Sequence, residues 1–501
     1  MTSATITILV ISVFLIANIV VIKIFHKKQD SLEEYAVGGR SFPWVLSLFG
    51  FLGAYYVGSI YTGFFATSAT QGVFAQYLAV YSVASVLTLY IMARPVWIWG
   101  KNHNLETNFD LVTLRYNSHK LGMFIGVTSF LFWTPWLIVE MQTLGYIVSA
   151  VTYGAVPFRL GLIIISSIVI VYVSIGGMRA GAIGDLFQGI VFTVVGTGTV
   201  IYLITKVYGG ISPMFEQVAR NNPDLLIINQ DVGVLTWTSA IVAASFGAMM
   251  YPGIFNRIYM AESVKAMKKT VIVAPLVGSV LILFIMWLGL GASFQAGFPQ
   301  DPQSGIFWIS DKFGGPFVVG LMGVFALAAC MSTLSAITTT AAVIIGKNLV
   351  GFGFNWDREK MLINSKLFSL IVGIVCMIIA CLDIPSIVTI VLYVYDCIVQ
   401  AAVPIILGLY WKRGNKYGAA IGSGVGMAVV LLQGPFPWLV SWAGGLSSGL
   451  VGLGLNLILY VSVSLVTDKQ PHVDALFEEL DFNQSSRPIP NQIEAKSAKG
   501  F

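Results

Sequence analysis

Charged residues are scarce in this chain. Asp, Glu, Lys and Arg make up only 10% of its 501 residues, whereas hydrophobic residues make up 56% and the mean hydropathy is +0.83. A soluble domain of this length needs a more polar surface, so the composition excludes the soluble classes and is typical of a polytopic membrane protein. The net charge of +5 is then a matter of membrane topology and does not indicate nucleic-acid binding.

Cysteines and nucleotide-binding motifs are also scarce or missing. The four cysteines, Cys330, Cys376, Cys381 and Cys397, lie in apolar runs and have no metal-ligand spacing to histidine. The sequence contains no Gly-x-x-x-x-Gly-Lys-Ser/Thr phosphate loop, and no long linker interrupts it before about residue 468. These absences argue against an ATP-driven pump and against an enzyme, and we expect no resident cofactor.

Apolar runs long enough to cross a bilayer recur along the chain. A spanning helix needs about 20 largely apolar residues, and short polar segments separate thirteen such runs. We therefore predict an all-α polytopic protein with about thirteen transmembrane helices. The predicted spans are 5–25, 44–68, 72–97, 120–150, 157–176, 184–207, 235–255, 271–294, 315–346, 366–384, 386–410, 417–440 and 445–467.

Lysine and arginine set the predicted orientation, because they accumulate in cytoplasmic loops. With the N-terminus outside, only four of the 28 basic residues fall on the outer side: Arg159, Lys206, Arg220 and Lys312. We therefore predict a multi-pass protein of the cell (plasma) membrane with its N-terminus outside and its C-terminus cytoplasmic.

The predicted transmembrane domain covers 1–467, and a cytosolic tail follows over 468–501. Within the tail, apolar residues recur at helical spacing from His472 to Leu480. The polar, proline-containing segment 485–501 has the composition of a disordered end.

Glycine and proline interrupt two of the predicted spans. The run 44–68 contains several glycines among polar and aromatic residues, and the run 235–255 ends in Tyr-Pro-Gly. These second and seventh spans lie five apart with opposite orientation, as in two inverted five-helix repeats that each begin with a discontinuous helix. Alternatively, glycine here simply permits close helix packing. We predict repeats over about 44–207 and 235–410, with broken helices lining a mid-membrane site.

Small and hydroxyl-bearing residues form a stretch inside the ninth predicted span, Ala328-Ala329-Cys330-Met331-Ser332-Thr333-Leu334-Ser335. Ala329, Ser332 and Thr333 share one helix face because three and four residues separate them. Carbonyl and hydroxyl oxygens suit a hard cation such as Na+. The same hydroxyls could instead bond to carbonyls of their own helix.

Four motifs have a distinctive order and placement. They are Gly38-Gly39-Arg40-Ser41, Gly176-Gly177-Met178-Arg179-Ala180 followed by Asp185-Leu186-Phe187-Gln188-Gly189, Met331-Ser332-Thr333-Leu334-Ser335, and Gly408-Leu409-Tyr410-Trp411-Lys412-Arg413 before Gly418. Together they resemble the sodium:solute symporter family over roughly residues 5 to 465, and come closest to its pantothenate and proline permease branches. The resemblance implies a leucine-transporter-type core of ten helices.

The resemblance also implies a sodium site. Its ligands would be the backbone carbonyls of Gly53, Tyr56 and Ala329 and the hydroxyls of Ser332 and Thr333. In the family, the aspartate corresponding to Asp185 is linked to cation coupling, and some members use it for a second cation. Alternatively, Asp185 is a helix N-terminal acid that pairs with Arg179.

Carboxylates inside a membrane are costly unless paired or hydrated, so each one is a functional candidate. Glu140 lies in the fourth predicted span and Asp396 in the eleventh, and the resemblance places both spans beside a central cavity. Either acid could bind an amine, orient a hydroxyl-rich solute or take a proton, and either could be a buried structural pair. The other candidate substrate residues are Gln142 and the aromatic residues Trp136, Tyr55 and Tyr395.

The leading hypothesis is a sodium-coupled symporter that imports a small organic solute by alternating access. The motifs favour a carboxylate-bearing solute, such as an amino acid, pantothenate or a monocarboxylate. The alternatives are proton coupling through Glu140 or Asp185, a passive facilitator and a membrane sensor. The expected partners are the solute, Na+ and the lipid bilayer, without nucleic acid and without an obligate protein partner.

Overall fold

The computed structural model describes residues 1–25, 29–228, 234–382 and 387–482. Within these residues the regular elements are helices, which confirms the all-α prediction. The first nine are α1 (Ser3–Phe25), α2 (Leu32–Val37), α3 (Trp44–Tyr55), α4 (Gly58–Gln71), α5 (Tyr77–Asn102), α6 (Asn108–Tyr116), α7 (His119–Val151), α8 (Phe158–Val191) and α9 (Thr197–Tyr208). The others are α10 (Ile211–Asn221), α11 (Val234–Gly247), α12 (Pro252–Met260), α13 (Val264–Ala292), α14 (Gly305–Val343), α15 (Arg358–Ala380), α16 (Ile387–Ile398), α17 (Ala402–Tyr410), α18 (Lys416–Leu432), α19 (Trp438–Ser441), α20 (Ser448–Val466) and α21 (His472–Phe482).

Helices that are long and apolar enough to cross a membrane dominate the described residues. Nine such helices are present there, or ten if the bent pair α11 and α12 forms one span. Three of the nine are runs of 45 to 51 residues, much longer than the roughly 20 needed for one crossing. Two of these runs contain a glycine with a positive φ value at a boundary between two predicted spans. Gly72 (φ 62°) lies at the boundary between 44–68 and 72–97, and Gly177 (φ 53°) lies at the boundary between 157–176 and 184–207. The count of thirteen stays a prediction, as do the orientation and the inverted repeats.

Helix α14 lies at the centre of the bundle. Every residue from Met322 to Ile344 is buried, because α14 packs against α1, α4, α7 and α8. Small side chains along this helix let the neighbouring backbones approach closely, as is common between membrane helices. The hydroxyls that the sequence places on α14 therefore face protein rather than lipid.

Two helices are broken where the sequence predicts. Between α3 and α4, Tyr56 leaves the helical conformation (φ −96°, ψ 78°) and Val57 is extended (φ −74°, ψ 153°). Between α11 and α12, a short 3-10 turn ends at Tyr251 (φ −60°, ψ 128°), and the two helices differ in direction by 53°. Pro252 follows directly and begins α12. Its missing N–H breaks no helical hydrogen bond there, because the first N–H groups of a helix have no acceptor within the helix. Both breaks expose backbone polar groups inside the bundle.

A buried charge cluster joins α6 to the end of α14 and the start of α15. The Glu106 carboxylate is fully buried and pairs with Lys347 (2.8 Å) and with Arg358. Lys347 also contacts Asp110 at 2.6 Å, and Asp110 belongs to a capping box with Thr107 at the start of α6. The cluster therefore anchors a short amphipathic helix to the central helix of the bundle.

The predicted helix in the tail is present as α21 and packs against the bundle. Its apolar residues Val473, Leu476, Phe477 and Leu480 are buried. The indole Nε1 of Trp99, near the end of α5, donates to the Leu476 carbonyl at 2.9 Å. Helix α21 is thus an integral part of the fold, and the polar segment 485–501 lies outside the described residues.

Candidate functional site

The hydroxyls of α14 meet the first broken helix. Thr333 Oγ1 donates to the Gly53 carbonyl at 2.8 Å and also lies 3.2 Å from the Ala329 carbonyl of its own helix. Gly53, Ala329 and Thr333, three of the predicted sodium ligands, therefore meet at one point. The hydroxyl thus bonds both to the broken helix and to a carbonyl of its own helix. A bond within α14 therefore does not exclude a contact with the predicted sodium site.

Gly53 has no room for a side chain. A Cβ atom built on it would lie 1.8 Å from Ser332 Oγ and 2.8 Å from Ser332 Cβ. Glycine lets the last turn of α3 touch the serine face of α14, which brings the Gly53 carbonyl within reach of Thr333. This close approach explains why a residue without a side chain stands three positions before the break.

The carbonyl of Tyr56 is released from the helical pattern. In a continuous helix it would accept from the N–H of Ile60, but that N–H donates to Val57 at 3.2 Å instead. The Tyr56 hydroxyl contacts Ser279 of α13 at 3.1 Å. Tyr56 thus has a backbone carbonyl outside the helical pattern, while its side chain packs between helices. Its role as a sodium ligand stays a prediction.

Asp185 joins the same site from α8. One carboxylate oxygen accepts from Ser332 Oγ at 2.6 Å and from Ser335 Oγ at 3.3 Å. The other accepts from Arg257 of α12 at 2.9 Å, and both side chains of this ion pair are almost fully buried. The structural alternative of a pair with Arg179 is therefore wrong: Arg257 is the ion-pair partner.

The chemistry of this cluster suits a monovalent hard cation. It combines a carboxylate, three hydroxyls and backbone carbonyls, all oxygen ligands, next to an unwound helix. The described residues contain no group of three or more His, Cys, Asp or Glu side chains that could hold a metal ion.

Glu140 of α7 contacts the start of the second half of the broken helix. Its Oε1 accepts from the Ser59 N–H at 3.2 Å and from the Ser59 hydroxyl, at the first turn of α4. The Cys330 thiol and the Trp136 indole face the carboxyl group. Both interact with it as weak donors, whereas Oε2 has no hydrogen bond of good geometry among the described residues.

Aromatic rings from four separate elements meet beside Glu140. Trp136 lies one helical turn before it and packs against Tyr251 (6.3 Å between ring centroids) and Tyr395 (6.0 Å). Tyr395 also contacts Tyr251 (5.6 Å) and Tyr81 of α5 (5.8 Å). We call Trp136, Tyr251, Tyr395 and Tyr81 the aromatic cluster. It brings the second helix break, α16 and α5 together next to the first break.

Two of the predicted substrate residues, Asp396 and Gln142, lie elsewhere, whereas Tyr55 lies at the first break. Both carboxylate oxygens of Asp396 accept from hydroxyls at the start of α20, Ser447 at 3.1 Å and Ser448 at 3.0 Å. Gln142 donates to the Leu382 carbonyl at 3.1 Å. Tyr55 is buried at the end of α3, where it stacks on Phe51. Asp396 thus has a helix-capping contact, and the structure does not bring Asp396 or Gln142 to the broken helices.

Several residues of the site were missed from the sequence. Arg257 looked like a loop residue, because the predicted span ended at residue 255, whereas α12 continues to Met260. Ser335 and Ser59 belong to stretches that were singled out but were not assigned a contact. Tyr251 stands before Pro252 at a predicted break, and that position was the available signal for a residue lining the site.

The comparisons with known proteins agree with this geometry. The model of the sodium:solute symporter family matches residues 35–426. The sodium/pantothenate symporter of Escherichia coli (strain K12) is 26% identical over 461 residues, which cover 87% of this chain and 93% of the relative. The osmoregulated proline transporter OpuE of Bacillus subtilis (strain 168) is 25% identical over 486 residues, which cover 92% and 94%.

The fold has a close structural counterpart. The solved structure of a Na+-coupled sialic acid symporter in its substrate-bound outward-open state superposes with a TM-score of 0.78 at 16% identity, over 93% of this chain and 98% of that chain. The leucine-transporter-type fold is therefore confirmed, and the protein is a membrane transporter rather than an enzyme. Because the family model covers most of its length, the chain belongs to the sodium:solute symporter family.

Proposed function

We propose that the protein is a sodium-coupled symporter of the cell membrane that imports a small, carboxylate-bearing organic solute by alternating access. The observation that carries this proposal is the contact between the Thr333 hydroxyl and the Gly53 carbonyl at the first helix break. A cation bound there would contact α14 and the broken helix at once. Its binding would therefore stabilise one arrangement of these two elements, which is how an ion gradient can drive a conformational cycle.

Five residues are the proposed ligands of the coupling ion. The carbonyls of Gly53, Tyr56 and Ala329 and the hydroxyls of Ser332 and Thr333 supply only neutral oxygens. Asp185 is a proposed ligand of a second cation, and its ion pair with Arg257 means that such a cation would share this carboxylate with a guanidinium. The two inverted repeats, 44–207 and 235–410, would move against each other around this site.

Uptake into proteoliposomes tests the sodium proposal. An inward Na+ gradient should accelerate uptake of the solute, and changing Ser332 and Thr333 together to Ala should abolish that acceleration. The matched control changes Thr339 and Thr340 to Ala, because these buried hydroxyls of α14 bond, among the described residues, to carbonyls of their own helix (2.8 Å each). Uptake that is independent of Na+ would contradict the proposal.

Proton coupling is the second candidate, and a specific contact favours it. Glu140 is a fully buried carboxyl group whose Oε2 has no hydrogen bond of good geometry among the described residues, so it could take up a proton during the cycle. A pH gradient without Na+ should then drive uptake, and Glu140→Gln should remove that drive. Uptake driven by Na+ at equal pH on the two sides would decide in favour of sodium.

A further inference from the structure

The N-terminus of α4 already holds an acidic side chain, Glu140. The backbone N–H of Ser59 points at Glu140, and the helix dipole makes this end of α4 favourable for an anion. In transporters with broken helices such an N-terminus can receive the anionic group of the substrate. Here a side chain of the protein takes that position, so a substrate carboxylate would have to displace an acidic group at this end of α4.

Glu140 could accept more hydrogen bonds than the two that it accepts from Ser59. It is fully buried, and in the described part of the chain no lysine or arginine forms an ion pair with it. Its Oε2 and the nearby indole Nε1 of Trp136 face each other, but neither atom has a hydrogen bond of good geometry there. A buried carboxylate without a counter-ion is costly, so a positively charged group that arrives with the solute would relieve this cost.

The aromatic cluster suits the same kind of group. Tyr395 meets Trp136 and Tyr251 edge to face, with interplanar angles of 62° and 66°. Aromatic faces attract cations, and several rings around one point favour an ammonium or quaternary nitrogen. The rings of Trp136, Tyr251 and Tyr395 come from α7, from the second helix break and from α16. A small rigid-body movement of these elements would separate the three rings and admit a solute.

We propose that Glu140, together with Trp136, Tyr251 and Tyr395, binds a positively charged nitrogen of the transported solute. The solute is then a small zwitterion, in which the ammonium group meets Glu140 and a carboxylate is bound elsewhere. This assignment rests on the proposed function, because it names the substrate class of the same site. It makes Glu140 a specificity-determining residue and gives Trp136 a direct part in recognition.

Pairs of isosteric compounds test this inference. Glycine betaine and 3,3-dimethylbutanoate differ only in a quaternary nitrogen replaced by carbon, and L-proline pairs in the same way with cyclopentanecarboxylate. The full-length protein in detergent with Na+ is titrated with each compound while its thermal stability is followed, and the compounds that bind are then tested for uptake. We expect a nitrogen compound to bind at least roughly 10-fold more tightly than its carbon isostere, because the isostere lacks the cationic contact.

Two variants and a matched control locate the effect. Glu140→Gln keeps an acceptor for Ser59 but removes the charge, so it should weaken binding of the nitrogen compound roughly 10-fold or more and leave the carbon isostere unaffected. Trp136→Phe should also reduce the preference for the nitrogen compound over its carbon isostere. Asp396→Asn changes a partly buried carboxylate that caps α20, and it should leave the preference for the nitrogen compound unchanged.

The outcomes separate this inference from the sodium proposal. Na+ added without a solute should stabilise wild type and Glu140→Gln equally, which shows that the variant folds, and should not stabilise the double Ala variant at Ser332 and Thr333. Equal binding of the carbon isosteres, no binding of either nitrogen compound, or unchanged affinity in Glu140→Gln would overturn the assignment of Glu140. If Glu140 only caps α4, the variant will lose stability without any change in the preference for nitrogen.

Discussion

The hydroxyl of Thr333 and the carbonyl of Gly53 lie 2.8 Å apart, although 280 residues separate them in the chain. This contact joins the central helix to the break in α3 and α4. It depends on the missing side chain at Gly53, against which Ser332 packs.

Gly53→Ala should weaken sodium coupling. The new methyl group would lie 1.8 Å from Ser332 Oγ, so α3 and α14 must separate. Overpacking of this kind costs about 1–3 kcal/mol, and we expect the Na+ concentration for half-maximal uptake to rise by roughly 10-fold or more. Gly63→Ala is the control, since a methyl group on Gly63 of α4 meets no atom within 4 Å. An equal effect of the two substitutions would contradict the role of Gly53.

The ion pair of Asp185 and Arg257 should show strong energetic coupling. Asp185→Asn or Arg257→Gln alone leaves one buried charge without its counter-ion and should destabilise the protein by about 3–5 kcal/mol. The double variant leaves no buried charge, so it should be less destabilised than the sum of the single variants. Unfolding of all four proteins in one detergent measures this cycle, and strict additivity would show that the pair contributes no coupling.

Glu106→Gln should destabilise the contact between the start of α6 and the segment Ile344–Gly351 that follows α14. Glu106 is fully buried and pairs with Lys347 and Arg358, and its loss leaves Lys347 with Asp110 alone. We expect a loss of about 3 kcal/mol in the free energy of unfolding. The exposed pair of Glu216 and Arg220, 3.8 Å apart, provides the control, and Glu216→Gln should change stability by less than about 1 kcal/mol.

Phe477→Ala should release α21 from the bundle. The Phe477 ring is buried and meets Trp99 edge to face at 5.7 Å. Truncation of a buried phenylalanine costs about 3 kcal/mol or more, so amide hydrogen exchange in α21 should accelerate roughly 100-fold. Glu478→Ala changes an exposed neighbour and should leave exchange unchanged. If exchange in the two variants is the same, α21 does not depend on this contact.

The fold could be predicted well from the sequence because its signals are local. Long apolar runs can only be helices in a bilayer, since each backbone group must find its partner within the segment. Gly and Pro mark both helix breaks, because these residues weaken the helical hydrogen-bond pattern. The number of crossings was less certain, since the described helices run through several of the predicted boundaries.

The sites were only partly predictable, because their partners come from distant segments. Glu140 was recognised as an acid inside the membrane and Asp185 through the family resemblance. Their contacts with Ser59 and Arg257 join residues 81 and 72 positions apart. Asp396 had the same sequence signal as Glu140 and caps α20 instead. Composition and spacing alone did not separate these two carboxylates.

Local patterns along the chain were enough to predict the membrane class, the helices, the two breaks and the helix face that carries Ala329, Ser332 and Thr333. These follow from hydropathy and periodicity, which depend on neighbouring residues only. The tertiary structure decided which helix meets that face, which cation pairs with Asp185 and which carboxylate faces the aromatic cluster. Such contacts depend on the packing of whole helices. The missing side chain of Gly53, for example, matters because Ser332 of α14 packs against it.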